Sequence, residues 1–219
     1  MKSKRTSELL YLEKYRLVFA NYDEISELKS ELEEYGYDAN RMNEGKQLYT
    51  KAQNLYDKNV QETSEAKEAY AIFEQAYEQL VKTYGKHRKA AKVALMHKME
   101  VWETFSIKGE TPRAYLLFIK GAKIFYNQAI THQEARPLLE KFKITDTIAQ
   151  EQLSAIENII SLRAKYEKLS GESQQATQDK NRAFAEIDKW IREFYAVAKI
   201  ALEDKPQLLE GIGISMRSQ

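Results

Sequence analysis

The sequence has no cysteine, which excludes disulfides, zinc-thiolate sites and thiol nucleophiles and agrees with a reducing compartment. Glycine and proline are scarce, at 8 and 3 of 219 residues, and β-branched runs are few. Sheets therefore find little of the punctuation they need, while long helices meet few breakers. No long apolar run is present either. The opening stretch MKSKRTSELLYLEKYRLVFANYD has a basic front, but Glu8, Glu13, Lys14 and Arg16 interrupt it, so neither a secretory signal nor a membrane span is read there. An excess of one charge is also missing. The 34 basic and 33 acidic residues leave +1, which argues against a polyanion-binding protein as a whole and leaves only a local patch for nucleic acid. Together these absences predict an all-α, cytoplasmic chain without membrane insertion. A chain of this length buries roughly 70% of its unfolded surface, so packing alone can stabilise it.

What the sequence does contain is repetition. Sliding it on itself by 107 residues, without a gap, aligns Leu9 and Leu10 with Leu116 and Leu117, Leu32 with Leu139, and Leu55 with Leu162. The register continues through Glu65 with Glu172, Ala69 with Ala176, Ala91 with Ala198, Lys92 with Lys199, Leu95 with Leu202 and Ile107 with Ile214. Conservative matches (Tyr35 with Phe142, Tyr77 with Phe184, Leu80 with Ile187, Val93 with Ile200) fall on apolar positions, which predicts a shared core. The expectation is two tandem helical repeats, 1–107 and 108–219, arisen by duplication and packed as one domain.

A shorter motif recurs four times: LEEYGY from Leu32, WETFSI from Trp102, LEKFKI from Leu139 and LEGIGI from Leu209. It reads apolar, Glu, any residue, apolar, small or Lys, apolar. Two copies stand directly before Asp38 and Thr145, both N-cap residue types, so the last apolar residue can staple the start of the helix that follows. The motif is read as a helix-end plug.

From Ala39 to Leu95 a seven-residue pattern holds one phase: Met42, Gly45, Tyr49, Ala52, Tyr56, Asn59, Thr63, Ala66, Tyr70, Phe73, Tyr77, Leu80, Tyr84, His87, Ala91, Ala94. Leu48, Leu55, Ala69 and Ala76 widen it to a bundle face. The second copy runs from Ala149 to Ala201. In the middle of each segment the pattern turns polar, with Val60 and Leu169 the one large apolar residue in 57–68 and 167–182. Two structures fit. Either each segment is one helix of nearly sixty residues, about 90 Å long, the two running antiparallel with Thr63, Ala66, Ser170 and Ser173 in close contact, or each turns back near residues 60 and 170 to give three-helix units. The unbroken phase favours the first, and Gly171 with the polar lapse favours the second. Shorter amphipathic helices are expected at Ser7 to Tyr22 and Pro112 to Thr131, with Pro112 and Pro137 in first helical turns. The first alternative predicts an elongated bundle with pseudo-two-fold symmetry and a coiled-coil-like periodicity.

Motifs for chemistry are sparse. A helical di-iron site needs Glu-x-x-His, and no Glu lies three before His87, His97 or His132. No local pattern marks a nucleophilic triad or a phosphate loop. An enzyme is therefore not expected, and catalytic residues, metal ligands and cofactors are all read as none. The tyrosines Tyr49, Tyr56, Tyr70, Tyr77 and Tyr84 suit a stacking platform or an aromatic pocket, but Tyr at heptad spacing more often buries its ring. The stretch KTYGKHRKAAKVALMHK, residues 82–98, holds no acid, and Glu193 interrupts its counterpart. Lys82, Lys86, Arg88, Lys89 and Lys92 form a candidate patch for an anionic partner. The preferred alternative is that it faces the acidic run Asp23, Glu24, Glu27, Glu31, Glu33 and Glu34.

The strings YGYDANRMNEGKQLYTKAQ and GESQQATQDKNRAFAEIDKWIREFYAVAKIALEDKPQLLEGIGISMRS resemble an uncharacterised bacterial family of all-α tandem-repeat proteins. The resemblance covers most of both repeats. It implies a bacterial source and carries no activity, ligand or site residues. The first repeat departs more from the pattern, with Met99, Glu100, Val101 and Trp102 standing where the second has Pro206, Gln207, Leu208 and Leu209.

The expected function is that of a non-enzymatic interaction or scaffold protein, with a protein partner or self-association, and nucleic acid not expected. One alternative is a helical bundle holding a small apolar ligand near its aromatic-rich halves. Another is an accessory binder of anions or nucleic acid through residues 82–98.

Overall fold

The computed structural model describes residues 4–214, with side chains from residue 7 onward. Among the described residues there are seven α-helices and no strand. They are α1 (Lys4–Glu24), α2 (Ser26–Glu34), α3 (Ala39–Ala94), α4 (Tyr115–Thr131), α5 (Arg136–Glu140), α6 (Asp146–Ala201) and α7 (Pro206–Gly211), with a short 3-10 turn at Met99–Trp102. The all-α expectation holds. Helices α3 and α6 have 56 residues each, and their starts and ends are both 107 positions apart.

Continuity of α3 and α6 decides between the two architectures, since no turn forms near residues 60 or 170. The polar lapse does not break the helices because its side chains satisfy one another. Asn59 Nδ2 donates to Thr177 Oγ1 at 2.8 Å, and Ser173 Oγ lies 3.3 Å from Thr63 Oγ1. The hydroxyls of Thr63 and Thr177 also bond back to the carbonyls of Asn59 and Ser173, four residues earlier. The pairing is antiparallel, as the ion pairs Arg41–Glu193 and Lys51–Glu186 also show.

Helix starts and stops follow local chemistry. Asp38 Oδ1 accepts the Arg41 N–H at 2.9 Å, and Thr145 Oγ1 accepts that of Ile148 at 3.3 Å, so both N-caps close the first turn of a long helix. The residues before the caps, Tyr37 and Ile144, are buried in the same cores as Met42 and Ala149. The four motif copies all form one turn. The N–H of the sixth residue reaches the carbonyl of the first (Tyr37 to Leu32, Ile107 to Trp102, Ile144 to Leu139, Ile214 to Leu209), and the fifth N–H reaches the second. The fifth residue, Gly36, Ser106, Lys143 or Gly213, takes a positive φ, the left-handed step of a Schellman stop. Pro137 and Pro206 sit in first turns as their rigid φ suits. Pro112 does not: α4 begins at Tyr115, and the chain before it is loop.

Packing divides the chain into two compact units. The first joins the residues up to Thr63 with those from Glu172 onward, and the second is Ser64–Gly171. Each unit takes half of α3 and half of α6, so each mixes residues of both sequence repeats. In the first unit Trp190 stacks on Phe194 (5.5 Å between centroids) and meets the edge of Tyr37, with Val18, Leu28, Leu32 and Ile187 fully buried beside them. In the second, Tyr84 touches Phe118 and Phe125 edge to face, over Phe105, Leu95 and Ile156.

One glycine in the first unit is dictated by packing. A Cβ on Gly45 would lie 2.5–2.7 Å from the indole of Trp190, whereas one on Gly85 would meet nothing within 4 Å. Both occupy the interior of α3. Gly45→Ala is therefore expected to lower unfolding free energy by about 1–3 kcal/mol through overpacking, and Gly85→Ala to raise it by about 0.5–1 kcal/mol through helix propensity. Urea denaturation of the two variants checks this, and equal effects would contradict it.

Candidate functional site

The basic stretch does not form one free patch. Arg88 is buried, and its Nη2 donates to the carbonyls of Ile107 at 2.9 Å and Gly109 at 3.0 Å, tying the end of α3 to the stop turn after it. Lys92 donates to the same Gly109 carbonyl and lies 5.4 Å from the Trp102 ring. Lys82, Lys86 and Lys89 are exposed, with Lys82 4.0 Å from Glu78. The expected partner is corrected too. The acidic run is met by Lys46, which bonds Asp23, and by Lys205, which bonds Glu27 and Glu31 and has its pKa raised by those hydrogen bonds. Those lysines belong to the first unit, as the acids do, while residues 82–98 belong to the second.

The histidines are dispersed. His97 is exposed, and His132 accepts the Ala135 N–H at the turn into α5. His87 is half-buried, 3.0 Å from the hydroxyl of fully buried Tyr126, and burial lowers its pKa. Among the described residues no group of three or more His, Asp or Glu is arranged to hold a metal, and no helix is long and apolar enough to cross a membrane.

The most distinctive concavity is an aromatic cleft of about 460 Å³ in the second unit. Helix α3 contributes Tyr70, Phe73, Glu74, Tyr77 and Glu78, the loop before α4 contributes Arg113, α4 contributes Tyr115, and α6 contributes Arg163, Tyr166 and Glu167. Tyr70 meets Tyr166 at 5.1 Å between centroids; Phe73 lies near-parallel to Tyr77 (5.8 Å, 16°) and to Tyr166 (6.5 Å, 6°). The guanidinium of Arg163 sits 3.9 Å from the Tyr115 ring centre and pairs with Glu167 at 2.8 Å. Glu74 accepts the Tyr70 hydroxyl at 2.8 Å, which raises that hydroxyl's pKa. Burial does the same for Tyr77 and Tyr115. A larger depression of about 580 Å³ in the first unit is lined from α3 alone, mostly by polar side chains.

Tyr70 is the exception in its stripe. The other stripe residues from Met42 to Ala94 are buried or half-buried, while Tyr70 is 41% exposed. The stripe thus supplies core at Tyr56 and Tyr84 and one wall of the cleft at Tyr70 and Tyr77. Tyr115 and Arg163, which no sequence motif marks, reach the cleft from α4 and α6, and Tyr166 reaches it from the stripe of α6. Their signal is a lapse in the repeat. At a shift of 107, Tyr70 and Tyr166 match Thr177 and Asn59, while Phe73 and Tyr115 match Lys180 and Glu8. In the first unit those matches form the Asn59–Thr177 hydrogen bond and a buried ion pair, with Lys180 Nζ 2.8 Å from both Glu8 oxygens. Positions 107 apart thus differ in kind between the two units, with self-satisfied polar groups in the first and rings around an open cleft in the second.

No protein-family model, curated protein or solved structure matches this chain.

Two expectations follow. With side chains only 5% and 10% exposed, the Lys180–Glu8 pair is costly to break on one side. Lys180→Met alone is expected to cost about 3–5 kcal/mol, and Lys180→Phe with Glu8→Tyr, the residues of the other repeat, to recover most of it. Chemical denaturation of the single and double variants is the check; equal stability of the two would contradict it. For His87 the unfolded chain takes up a proton first as pH falls through about 6.5. Stability is then lost downward from there until the folded histidine also protonates. His87→Phe, the residue at Phe194 in the other repeat, should flatten that part of the stability profile in denaturant melts from neutral pH to about pH 5.

Proposed function

We propose that the chain is a non-enzymatic interaction protein, made by duplication of a 107-residue helical unit, that associates through apolar side chains held in solvent by both copies. The observation that carries this reading is where the matched apolar positions lie. Leu32 and Leu139, Leu80 and Ile187, and Leu95 and Leu202 are buried, as a shared core requires. Leu9 and Leu10, Tyr35 and Val93 are not, and neither are their matches Leu116 and Leu117, Phe142 and Ile200. Leu116 is 74% exposed and Leu117 59%. A single exposed leucine means little. Exposed apolar residues held at equivalent sites of two diverged copies point to a surface that is covered in use.

The pattern continues along α1. Leu17, seven residues beyond Leu10, is exposed as well, whereas Ile124, seven beyond Leu117, is half-buried, so the exposed edge runs over Leu9, Leu10 and Leu17 on α1 and over Leu116 and Leu117 on α4. The occupant proposed first is a second copy of this chain, because equivalent edges on α1 and α4 can meet one another. The net charge of +1 offers little repulsion to such a contact. The cysteine-free composition suits a cytoplasmic setting.

Light scattering coupled to size exclusion should give a mass above the monomer for the unmutated protein. Leu116→Lys with Leu117→Lys should return it to monomer with the melting temperature unchanged, since both side chains are already in water. A monomer at every concentration would remove self-association.

A further inference from the structure

We propose that the aromatic cleft of the second unit binds a small organic cation, which rests on the rings of Tyr70, Phe73 and Tyr166 and is neutralised by Glu74 and Glu78. Aromatic faces carry the negative part of the ring quadrupole and attract ammonium and guanidinium groups. The chain already shows this in the cleft, where its own Arg163 guanidinium lies 3.9 Å from the Tyr115 ring centre. The volume of about 460 Å³ falls within the range of small-molecule sites.

Charge selects the class. Glu167 has Arg163 as its counter-ion. Glu74 accepts a bond from the neutral Tyr70 hydroxyl, and Glu78 lies 4.0 Å from Lys82. The lining as a whole sets Glu74, Glu78 and Glu167 against Arg113 and Arg163, an excess of one negative charge beside partly open rings. In the first unit the positions of Phe73 and Tyr115 are held by Lys180 and Glu8, an ion pair closed on itself, where the second unit has rings.

The test is a proton NMR titration of the full chain with choline, and with 3,3-dimethylbutan-1-ol, which has nearly the same shape but carbon in place of the charged nitrogen. Choline's N-methyl signal is expected to move upfield under the ring currents and to saturate, while the neutral alcohol binds at least about tenfold more weakly. Tyr70→Ala, at a side chain already 41% exposed, and Glu74→Gln with Glu78→Gln should each weaken choline binding by about tenfold. Circular dichroism confirms that these surface variants keep their helices. The proposal is overturned by any of three results: no saturable shift with the unmutated protein, equal binding of the neutral alcohol, or choline binding that survives both sets of substitutions.

Discussion

The rest of the structure depends on the seam between α3 and α6. Alternating steps of three and four residues keep one face of each helix turned to the other. Every shorter helix then has a surface to pack on. In the first unit α1 lays Tyr15, Val18 and Phe19 against the core built on Met42, Ile187 and Trp190; in the second α4 does the same with Phe118, Phe125 and Tyr126 over Leu80 and Tyr84. Close approach along the seam needs small residues at chosen points. Gly45 admits the indole of Trp190, and Ala52 and Ala66 are buried where bulk would force the helices apart.

Stopping the helices matters as much as pairing them. One six-residue turn does this four times, with the sixth N–H on the first carbonyl and a left-handed fifth residue. The glycines at 36 and 213 take that backbone freely, whereas Ser106 and Lys143 bear a steric cost of about 1–2 kcal/mol. The cost is tolerated because the residue that follows, Ile107 or Ile144, is buried. Arg88 adds three charge-assisted bonds to the carbonyls of residues 107–109, so a side chain with the look of an anion ligand serves instead to hold a helix end.

The two units differ most where they correspond most closely. Polar pairs in one, Asn59 with Thr177 and Glu8 with Lys180, stand at the positions of ring pairs in the other, Tyr166 with Tyr70 and Tyr115 with Phe73. The polar version closes on itself because the Asn59 amide and the Lys180 ammonium each find an acceptor within the unit. The aromatic version leaves ring faces and carboxylates partly open, and it is the version with scope for a ligand.

Much of this was legible along the chain. Heptad phase marked α3 and α6, Asp38 and Thr145 marked their starts, and the fourfold motif marked the stops of α2, α5, α7 and the short 3-10 turn, because each signal is local: a spacing, a cap, a turn. Local signals could not place Arg88 inside or Leu116 outside. Arg88 lies beside exposed lysines in sequence, and only the return of residues 107–109 over α3 supplies the carbonyls that bury it. Tyr35 with Phe142 and Val93 with Ile200 read as shared core by type and by match, and only the tertiary packing leaves them exposed, as it does Leu9 and Leu116. The cleft was hidden for the same reason, since its walls come from three helices separated by dozens of residues. Thus the sequence by itself determined the helices, their limits and their repeat, which rest on interactions within a few residues. Tertiary structure alone decided which charges are consumed, which leucines stay exposed and where the rings gather, because those depend on which distant segments meet.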